Sequence, residues 1–243
     1  MNEQFLLSVG ATHPWNIAGL GIASRVAYDF RLRHSVVVVG VTAQDERAFH
    51  GAFALPPQAV RAQFATTPAY AAAHVGLLFD AANVREVAQF FQTSHPAPLV
   101  VDPVFGDTFG SKFSDDKTFC AFREVMVPLK SILTPNLAEA GRLLEREIAT
   151  VDAMLDAARE LQALGPHAVL LKGGHLRGDP VDVLATSESV EVFSDARLPG
   201  ELRGTGDTLA AALACELTRG ISLVEAVAAA RDYVRRKISA TLS

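Results

Sequence analysis

The motif Arg203-Gly204-Thr205-Gly206-Asp207-Thr208 stands directly before a helical pattern rich in small residues. Glycines at the start of a helix let backbone N–H groups converge on an anion, and the helix dipole favours negative charge there. Asp207, in the first turn, could accept a proton from an alcohol that attacks phosphorus in line. The motif thus predicts an anion hole beside a general base. The alternative is a tight turn followed by an acidic residue that suits a first helical turn.

A second motif, Thr134-Pro135-Asn136-Leu137-Ala138-Glu139, follows a predicted strand. Parallel α/β sheets hold their ligand sites at the carboxyl ends of the strands. Residues three apart share one face of a helix, so Asn136 and Glu139 could both face a metal–phosphate cluster, Glu139 through metal-bound water. The alternative is a helix start in which Asn136 is the N-cap and Glu139 its capping-box partner.

Asp102 and Lys172 each end a predicted strand. Asp102, in the run Val100–Val104, is a candidate for organising magnesium or a substrate hydroxyl, and otherwise marks a strand-ending turn. Lys172 is followed by Gly173-Gly174-His175 and could reach a phosphate, although a lone lysine at a strand end is commonly a solvated charge. The chain lacks G-x-x-x-x-G-K-[ST], so a P-loop kinase is not predicted.

The elements that would position these motifs alternate between strands and helices. The predicted strands are Phe5–Val9, Ser35–Thr42, Ala73–Leu78, Leu99–Val104, Ser131–Thr134 and Ala168–Lys172. The predicted helices are Ile17–Leu32, Pro57–Thr66, Asn83–Thr93, Asp115–Val125, Leu137–Leu144 and Val151–Leu164. This alternation predicts βαβ units and a mainly parallel sheet with helices on both faces. The later segments predict a hairpin followed by two long helices, at Val181–Ala185, Val190–Phe193, Thr205–Thr218 and Ser222–Ser239.

Composition excludes several classes of protein. The 243 residues are 49% hydrophobic and 20% charged, as in ordinary globular proteins, and no repeat or linker interrupts them, so one domain over residues 1–243 is predicted. A net charge of -5 without a Lys/Arg cluster argues against nucleic acid as a partner. Cys120 and Cys215 lack metal or disulfide-framework spacing. Without a signal peptide or a membrane-spanning stretch, the protein is expected to be cytoplasmic.

Together and in this order, the motifs resemble the ribokinase-like superfamily. The residues of these motifs are similar to those of its hydroxymethylpyrimidine/phosphomethylpyrimidine kinase branch, which serves thiamine biosynthesis. The resemblance covers about residues 35–234 and rests on Val41–Gln44, Leu55–Pro57, Val75–Leu78, Val101–Val104, Thr134–Ala140, Leu171–His175 and Gly204–Thr208. It implies a three-layer α/β fold with a mainly parallel central sheet, ATP as co-substrate, Mg²⁺ as cofactor, and a homodimer.

The resemblance also implies residue roles. Asp207 takes the base position, Lys172 contacts phosphate, and Gln44 contacts the pyrimidine. A primary amide presents a donor and an acceptor side by side, which complements an aminopyrimidine edge; alternatively, Gln44 only begins the polar loop Gln44–Arg47. The remaining implied site residues are Gly204, Thr205 and Gly206 in the anion hole, and Asn136, Glu139 and Asp102 around magnesium and phosphate.

Two departures from the branch bear on the substrate. The branch usually has cysteine where Asp207 stands, whereas aspartate is usual in sugar, nucleoside and many pyridoxal kinases. The branch also opens with Gly-Ser-Asp and a glycine-rich run, but here the Gly10–Gly21 segment reads GATHPWNIAGLG, and Arg25 replaces an aspartate. The ring side chains of His13 and Trp15 could stack on or cap a substrate ring that differs from the branch's pyrimidine, or they could pack within the loop. The candidate substrate contacts in this segment are Gly10, His13 and Trp15.

The sequence therefore predicts a kinase that uses Mg-ATP to phosphorylate the hydroxymethyl group of a small heterocycle, hydroxymethylpyrimidine or its phosphate. Pyridoxal kinase is the alternative, because it shares fold and chemistry and because Asp102–Asp107 resembles that group. A catalytically idle ligand-binding or regulatory homologue is the alternative of another class. The presence of Asp207, Lys172 and Glu139 together argues against it.

Overall fold

Runs of β-branched and apolar residues form nine strands in the part of the chain that the computed structural model describes, namely residues 4–45, 48–93, 97–106, 114–174, 176, 178–200 and 202–241. The strands are β1 (Phe5–Thr12), β2 (Arg33–Gln44), β3 (Phe49–Ala54), β4 (Ala72–Val75), β5 (Leu99–Val101), β6 (Ile132–Leu133), β7 (Ala168–Gly173), β8 (Val181–Thr186) and β9 (Val190–Ser194).

Helices occupy most of the connections between these strands, and two more follow β9. They are α1 (Gly19–Asp29), α2 (Pro57–Phe64), α3 (Ala81–Thr93), α4 (Asp116–Ala121), α5 (Leu137–Leu144), α6 (Val151–Ala163), α7 (Thr205–Leu217) and α8 (Leu223–Ala240). A π-helical segment, Phe122–Met126, continues α4. Among the helices of the described residues, none combines the length and apolarity needed to cross a bilayer.

One sheet joins all of these strands in the order β3-β2-β1-β4-β5-β6-β7-β8-β9. The strands from β2 to β7 in that order are parallel, whereas β3, β8 and β9 are antiparallel to their neighbours. The predicted hairpin after Lys172 is confirmed as β8 and β9. The parallel strands end at the same edge, which therefore gathers the residues that follow each of them.

Alternating side chains divide the core into two layers, one on each face of the sheet. In β1, for example, Leu7 and Val9 face α2 to α6, whereas Leu6 faces α1, α7 and α8. Helices on both faces of a mainly parallel sheet give the three-layer α/β architecture that the sequence predicted.

Some predicted boundaries need correction. Residues Phe49–Ala54 were not among the predicted strands, but they form edge strand β3, which pairs with β2. The strands predicted to reach Leu78 and Val104 end at Val75 and Val101, and the residues beyond them are loops at the carboxyl edge. His175, Asp107 and the Glu46–Arg47 part of the polar loop lie outside the described residues.

Candidate active site

The carboxyl ends of three neighbouring strands place polar residues on the face that α7 covers. Asp102, Thr134 and Lys172 follow by two positions the buried Val100, Ile132 and Leu170, which pack in the α7 layer. Because side chains alternate along a strand, the polar residues extend the same face to its edge. They lie next to the start of α7.

Asp102 and Lys172 form an ion pair at this edge, with Lys172 Nζ 2.6 Å from Asp102 Oδ1. Thr134 donates its hydroxyl to the same carboxylate oxygen at 2.9 Å. The Asp102 side chain is 3% exposed and that of Lys172 is 13% exposed. Burial lowers the pKa of Lys172, but the Asp102, Glu139 and Asp207 carboxylates together outweigh it and leave that pKa above its usual range. Lys172 is therefore a fixed positive charge rather than a solvated one.

The strand end that carries Lys172 is held by a second, buried ion-pair group. Gly173 donates its backbone N–H to Asp182 Oδ1 at 3.0 Å, and the other oxygen of Asp182 pairs with Arg231. Arg231 also pairs with Asp195 at 2.6 Å. These contacts join β7, β8 and α8 to Asp195, the residue after β9, and they hold the end of β7 that carries Lys172 in place.

Gly204 to Gly206 begin α7 next to the Asp102–Lys172 pair. Gly204 is the N-cap and has a φ of +73°, a left-handed conformation that favours glycine, and a side chain there would also collide with Ile22. A Cβ on Gly206 would lie 3.3 Å from Lys172 Nζ. The first amides of the helix have no carbonyl partner within it. Amides and ammonium thus surround one space that suits an anion.

Asp207 occupies the third position of α7 and is partly buried. Its Oδ2 accepts the backbone N–H of Gly19 at 3.1 Å. Burial raises the pKa of Asp207 to about 6, and the Asp102 carboxylate adds to the increase while Gly19 and Lys172 oppose it. A carboxylate with a pKa near neutrality can both hold and release a proton under physiological conditions, as a general base must.

Asn136 and Glu139 form the capping box of α5. Asn136 Oδ1 accepts the Glu139 N–H at 2.9 Å, and Glu139 Oε2 accepts the Asn136 N–H at 2.7 Å. The same Glu139 carboxylate also feels the active-site charges: burial raises its pKa, Lys172 opposes that rise, and Asp102 and Asp207 add to it. Capping and a role in the site are therefore compatible for Glu139.

Three carboxylates and one ammonium group give this site an excess of negative charge. Among the described residues, no group of three or more His, Cys, Asp or Glu side chains is close enough to enclose a metal. Magnesium does not require such a cage, because it commonly binds one or two carboxylates and completes its shell with water and phosphate oxygens. The oxygen donors and the charge of Asp102 and Glu139 fit that mode of binding.

The Gly10–Gly21 segment runs from the end of β1 to the start of α1 at the same edge. His13 is 4% exposed, and its Nε2 accepts the Ala18 N–H at 3.0 Å, so the ring braces the loop. Trp15 is 54% exposed, which leaves its ring accessible. Arg25 is exposed and donates to the Asn16 carbonyl at 2.8 Å. Gly10 is buried at the end of β1 and leaves room beside the chain.

Gln44 is the last residue of β2 and is 9% exposed. Its Nε2 donates to the Thr42 hydroxyl at 3.0 Å, which fixes the plane of the amide. The next residue, Asp45, accepts a hydrogen bond on its carbonyl from Arg203 at 3.1 Å. This contact joins the end of β2 to the residue that precedes Gly204.

Sequence reasoning gave no role to Thr134 or Gly19. Thr134 lies in the quoted Thr-Pro-Asn motif, and its position at a strand end was the available signal. Gly19 is separated from Asp207 by 188 positions, and no local pattern marks that contact.

Comparisons with known proteins agree with this geometry. The family model described as phosphomethylpyrimidine kinase matches residues 27–243. The chain belongs to this family. The matched residues begin after the divergent Gly10–Gly21 segment and include Gln44, Asp102, Glu139, Lys172 and Asp207. The resemblance predicted from the motifs is therefore confirmed.

Individual relatives support the family and the fold. The hydroxymethylpyrimidine/phosphomethylpyrimidine kinase of Streptomyces coelicolor is 36% identical over 208 residues, or 84% of this chain and 77% of that protein. The crystal structure of the phosphomethylpyrimidine kinase from Clostridium difficile has a TM-score of 0.86 at 26% identity and covers 97% of this chain and 99% of that one. An ADP complex of Bacillus subtilis pyridoxal kinase has a TM-score of 0.86 at 27% identity, covering 95% and 90%.

Proposed function

We propose that this protein transfers the γ-phosphoryl group of ATP to the hydroxymethyl group of a small heterocycle, namely hydroxymethylpyrimidine or its phosphate. The observation that carries the proposal is the Asp207 carboxylate, which has a raised pKa and stands at the start of α7, beside helix amides and Lys172. This arrangement supplies a base and an anion site within one helical turn. Membership of the phosphomethylpyrimidine kinase family supports the choice of substrate.

In the proposed reaction Asp207 accepts the hydroxyl proton while the alcohol oxygen attacks the γ-phosphorus and the bond to ADP breaks. The amides at Thr205 and Gly206 and the ammonium of Lys172 stabilise negative charge on the phosphoryl oxygens. Asp102 keeps Lys172 charged and in place through the 2.6 Å ion pair. These roles make the chain's contribution one of positioning and electrostatics.

Glu139, with Asn136 beside it, and the free oxygen of Asp102 are the proposed ligands of Mg²⁺, in part through water. Bound magnesium would neutralise phosphate charge and link the ATP phosphates to the protein. A divalent cation would also offset the mutual repulsion of the three carboxylates, which contributes to the raised pKa of Glu139.

Pyridoxal kinase is the second candidate function. It is favoured by the solved pyridoxal kinase with the same fold and by the exposed Trp15 ring, which could stack on a pyridine as well as on a pyrimidine.

The single domain over residues 1–243, the homodimer and the cytoplasmic location stay predictions.

The decisive assay compares hydroxymethylpyrimidine, its monophosphate and pyridoxal at equal concentration, with the parent protein and the Asp207→Asn variant. We expect the parent to phosphorylate the pyrimidines, but less efficiently than typical family members, because the Gly10–Gly21 segment has lost an acidic group. The variant should lose about 10²- to 10⁴-fold in rate and keep its affinity for ATP, because the amide retains volume and lacks the basic site.

Each contrary result has a distinct meaning. A preference for pyridoxal would replace the substrate and leave the base assignment in place. An Asp207→Asn rate within a few-fold of the parent would exclude Asp207 as the base. No ATP turnover with any alcohol would favour the idle, ligand-binding homologue.

A further inference from the structure

We propose that the backbone amide of Gly19 is a positioning group for Asp207. The Gly10–Gly21 segment, which carries the candidate substrate contacts, then also orients the proposed catalytic base. This inference rests on the proposed function, in which Asp207 accepts the alcohol proton. It assigns a role to one N–H group in the part of the chain that departs from the family pattern and precedes the matched residues 27–243.

The contact is direct and joins distant parts of the chain. Gly19 N donates to Asp207 Oδ2 at 3.1 Å, although the two residues are 188 positions apart. Among the described residues, this is the hydrogen bond that the Asp207 carboxylate accepts. One oxygen is held and the other, Oδ1, is left to accept the proton of an alcohol. A carboxylate fixed at one oxygen cannot rotate freely, so the direction of its second oxygen is set.

The Gly19 amide is aimed by a backbone conformation that other residues rarely adopt. Gly19 has a φ of +53°, and a Cβ there would lie 2.6 Å from the Ala11 carbonyl oxygen. The residue therefore has both a conformational and a steric reason to be glycine. The N–H direction is a consequence of this turn, which ends the loop and starts α1.

Neighbouring contacts make the Gly10–Gly21 segment and the start of α7 one packed unit. A side chain on Gly204 would collide with Ile22 of α1 and would approach the Ile17 carbonyl to 3.2 Å. His13 braces the loop from inside by accepting the Ala18 N–H. A movement of the loop therefore changes the hydrogen bond to Asp207. The position of the Gly10–Gly21 segment therefore helps to set the orientation of the Asp207 carboxylate.

The sharpest test replaces Gly19 with glycolate by cell-free translation, which exchanges the N–H for an ester oxygen and leaves the glycine backbone without a side chain. The matched control is glycolate at Gly220, which also has a positive φ of +69° and also loses one backbone hydrogen bond, to the Leu217 carbonyl, at the far end of α7. Gly19→Ala and Gly220→Ala form a second, encoded pair. Melting temperature and ATP binding establish that each variant is folded.

The readout is the pH profile of kcat/KM with the alcohol that the parent phosphorylates. Loss of the Gly19 donor should lower the plateau about tenfold to a hundredfold and should move the acid limb to higher pH, because the N–H favours the ionised form of Asp207. Asp102 and Lys172 also act on Asp207, but they are unchanged in the variant. The Gly220 replacements should keep the parent profile.

Three results would overturn the inference. An unchanged profile in the Gly19 glycolate protein would show that the donor is dispensable. A lower plateau with the acid limb unmoved would assign Gly19 a packing role alone. If Asp207→Asn keeps the parent rate, the proposed base fails and the inference fails with it, whereas an inactive Asp207→Asn with normal Gly19 variants removes only the inference.

Discussion

At the scale of single residues, the site assigns different tasks to chemically similar groups. Asp102 is held by Thr134 and Lys172, and Asp207 is held at one oxygen by Gly19. One carboxylate oxygen of Glu139 accepts a capping hydrogen bond at the start of α5. The environment of each carboxylate, rather than its type, therefore decides its role in the proposed mechanism: Asp207 is the base, whereas Asp102 and Glu139 combine structural contacts with magnesium binding.

Gln44 provides a residue-scale prediction about the substrate. The Thr42 contact occupies one of its N–H groups, which leaves one N–H and the carbonyl oxygen to face a ring edge. We expect Gln44→Ala to lower kcat/KM for the pyrimidine by about one to two decades, since a hydrogen bond to a buried substrate is worth roughly 1–3 kcal/mol. Steady-state kinetics should show an unchanged KM for ATP.

Gln63→Ala is the matched control for this change. Gln63 also bonds to β2, through both the N–H and the carbonyl of Val38, but its role there is structural. Its removal should lower the melting temperature and leave kcat/KM for the pyrimidine nearly unchanged. Equal effects of the two substitutions on kcat/KM would contradict a contact between Gln44 and the ring.

At the scale of elements, helix starts carry much of the site. α5 begins with a capping box that includes Glu139, and α7 begins with glycines in place of a capping side chain. A helix that starts without a side-chain cap keeps its first amides available for an external anion. The start of α7 lies beside Lys172 at the end of β7, and α5 follows β6, which is adjacent and parallel to β7.

Glu139→Gln separates the two roles of its helix start. Glutamine still accepts a capping hydrogen bond, so the melting temperature should change little, but its neutral amide orients metal-bound water less strongly. We expect a higher magnesium concentration for half-maximal rate. Measuring the rate over a range of MgCl₂ concentrations gives this half-maximal value.

Glu225→Gln is the control, since Glu225 forms the same kind of capping box with Ser222 at the start of α8. This control should leave the magnesium dependence unchanged. An unchanged magnesium dependence in Glu139→Gln, together with a lower melting temperature, would assign Glu139 to capping alone.

Elements were more predictable from sequence than contacts between them. Buried runs such as Ala168–Lys172 mark strands because all of their residues are apolar until the edge. β3 was missed because Phe49–Ala54 is short, contains a glycine and is mostly exposed, so burial does not impose a pattern on it. The Asp102–Lys172 pair spans 70 positions, and only the strand order brings it together. The sequence thus shows where the motifs lie, but it does not show which residue each side chain contacts.

At the scale of the whole molecule, the ionised form of Asp207 opposes folding. Burial raises the folded-state pKa of Asp207 to about 6 from an ordinary 3.8. A carboxyl group with a raised folded pKa supports stability when it is protonated, and that support is lost as pH rises from about 4 to about 6. At neutral pH the protein therefore carries a destabilising charge that the proposed reaction requires, a common trade of stability for activity.

Asp207→Asn should accordingly be more stable than the parent at pH 8, by about 1–3 kcal/mol, and nearly equal to it at pH 4. For a protein of this size, each kcal/mol corresponds to about 2–4 °C in melting temperature. Thermal melts at the two pH values measure the difference. Asp156→Asn, at a side chain that is 75% exposed, is the surface control and should show no such pH dependence. A variant less stable than the parent at pH 8 would show that the charge is well compensated.

The placement of α7 and α8 also has a consequence for synthesis on the ribosome. These two helices, which follow all nine strands of the described residues, cover the face of the sheet that carries Leu6, Val100 and Leu170. The nine strands therefore leave the exit tunnel before α7 and α8 do. This apolar face stays uncovered by them until both helices have been synthesised. Nascent chains stalled before Thr205 would present this face to chaperones or to one another, which makes prompt synthesis of α7 and α8 a condition for a good yield of native protein.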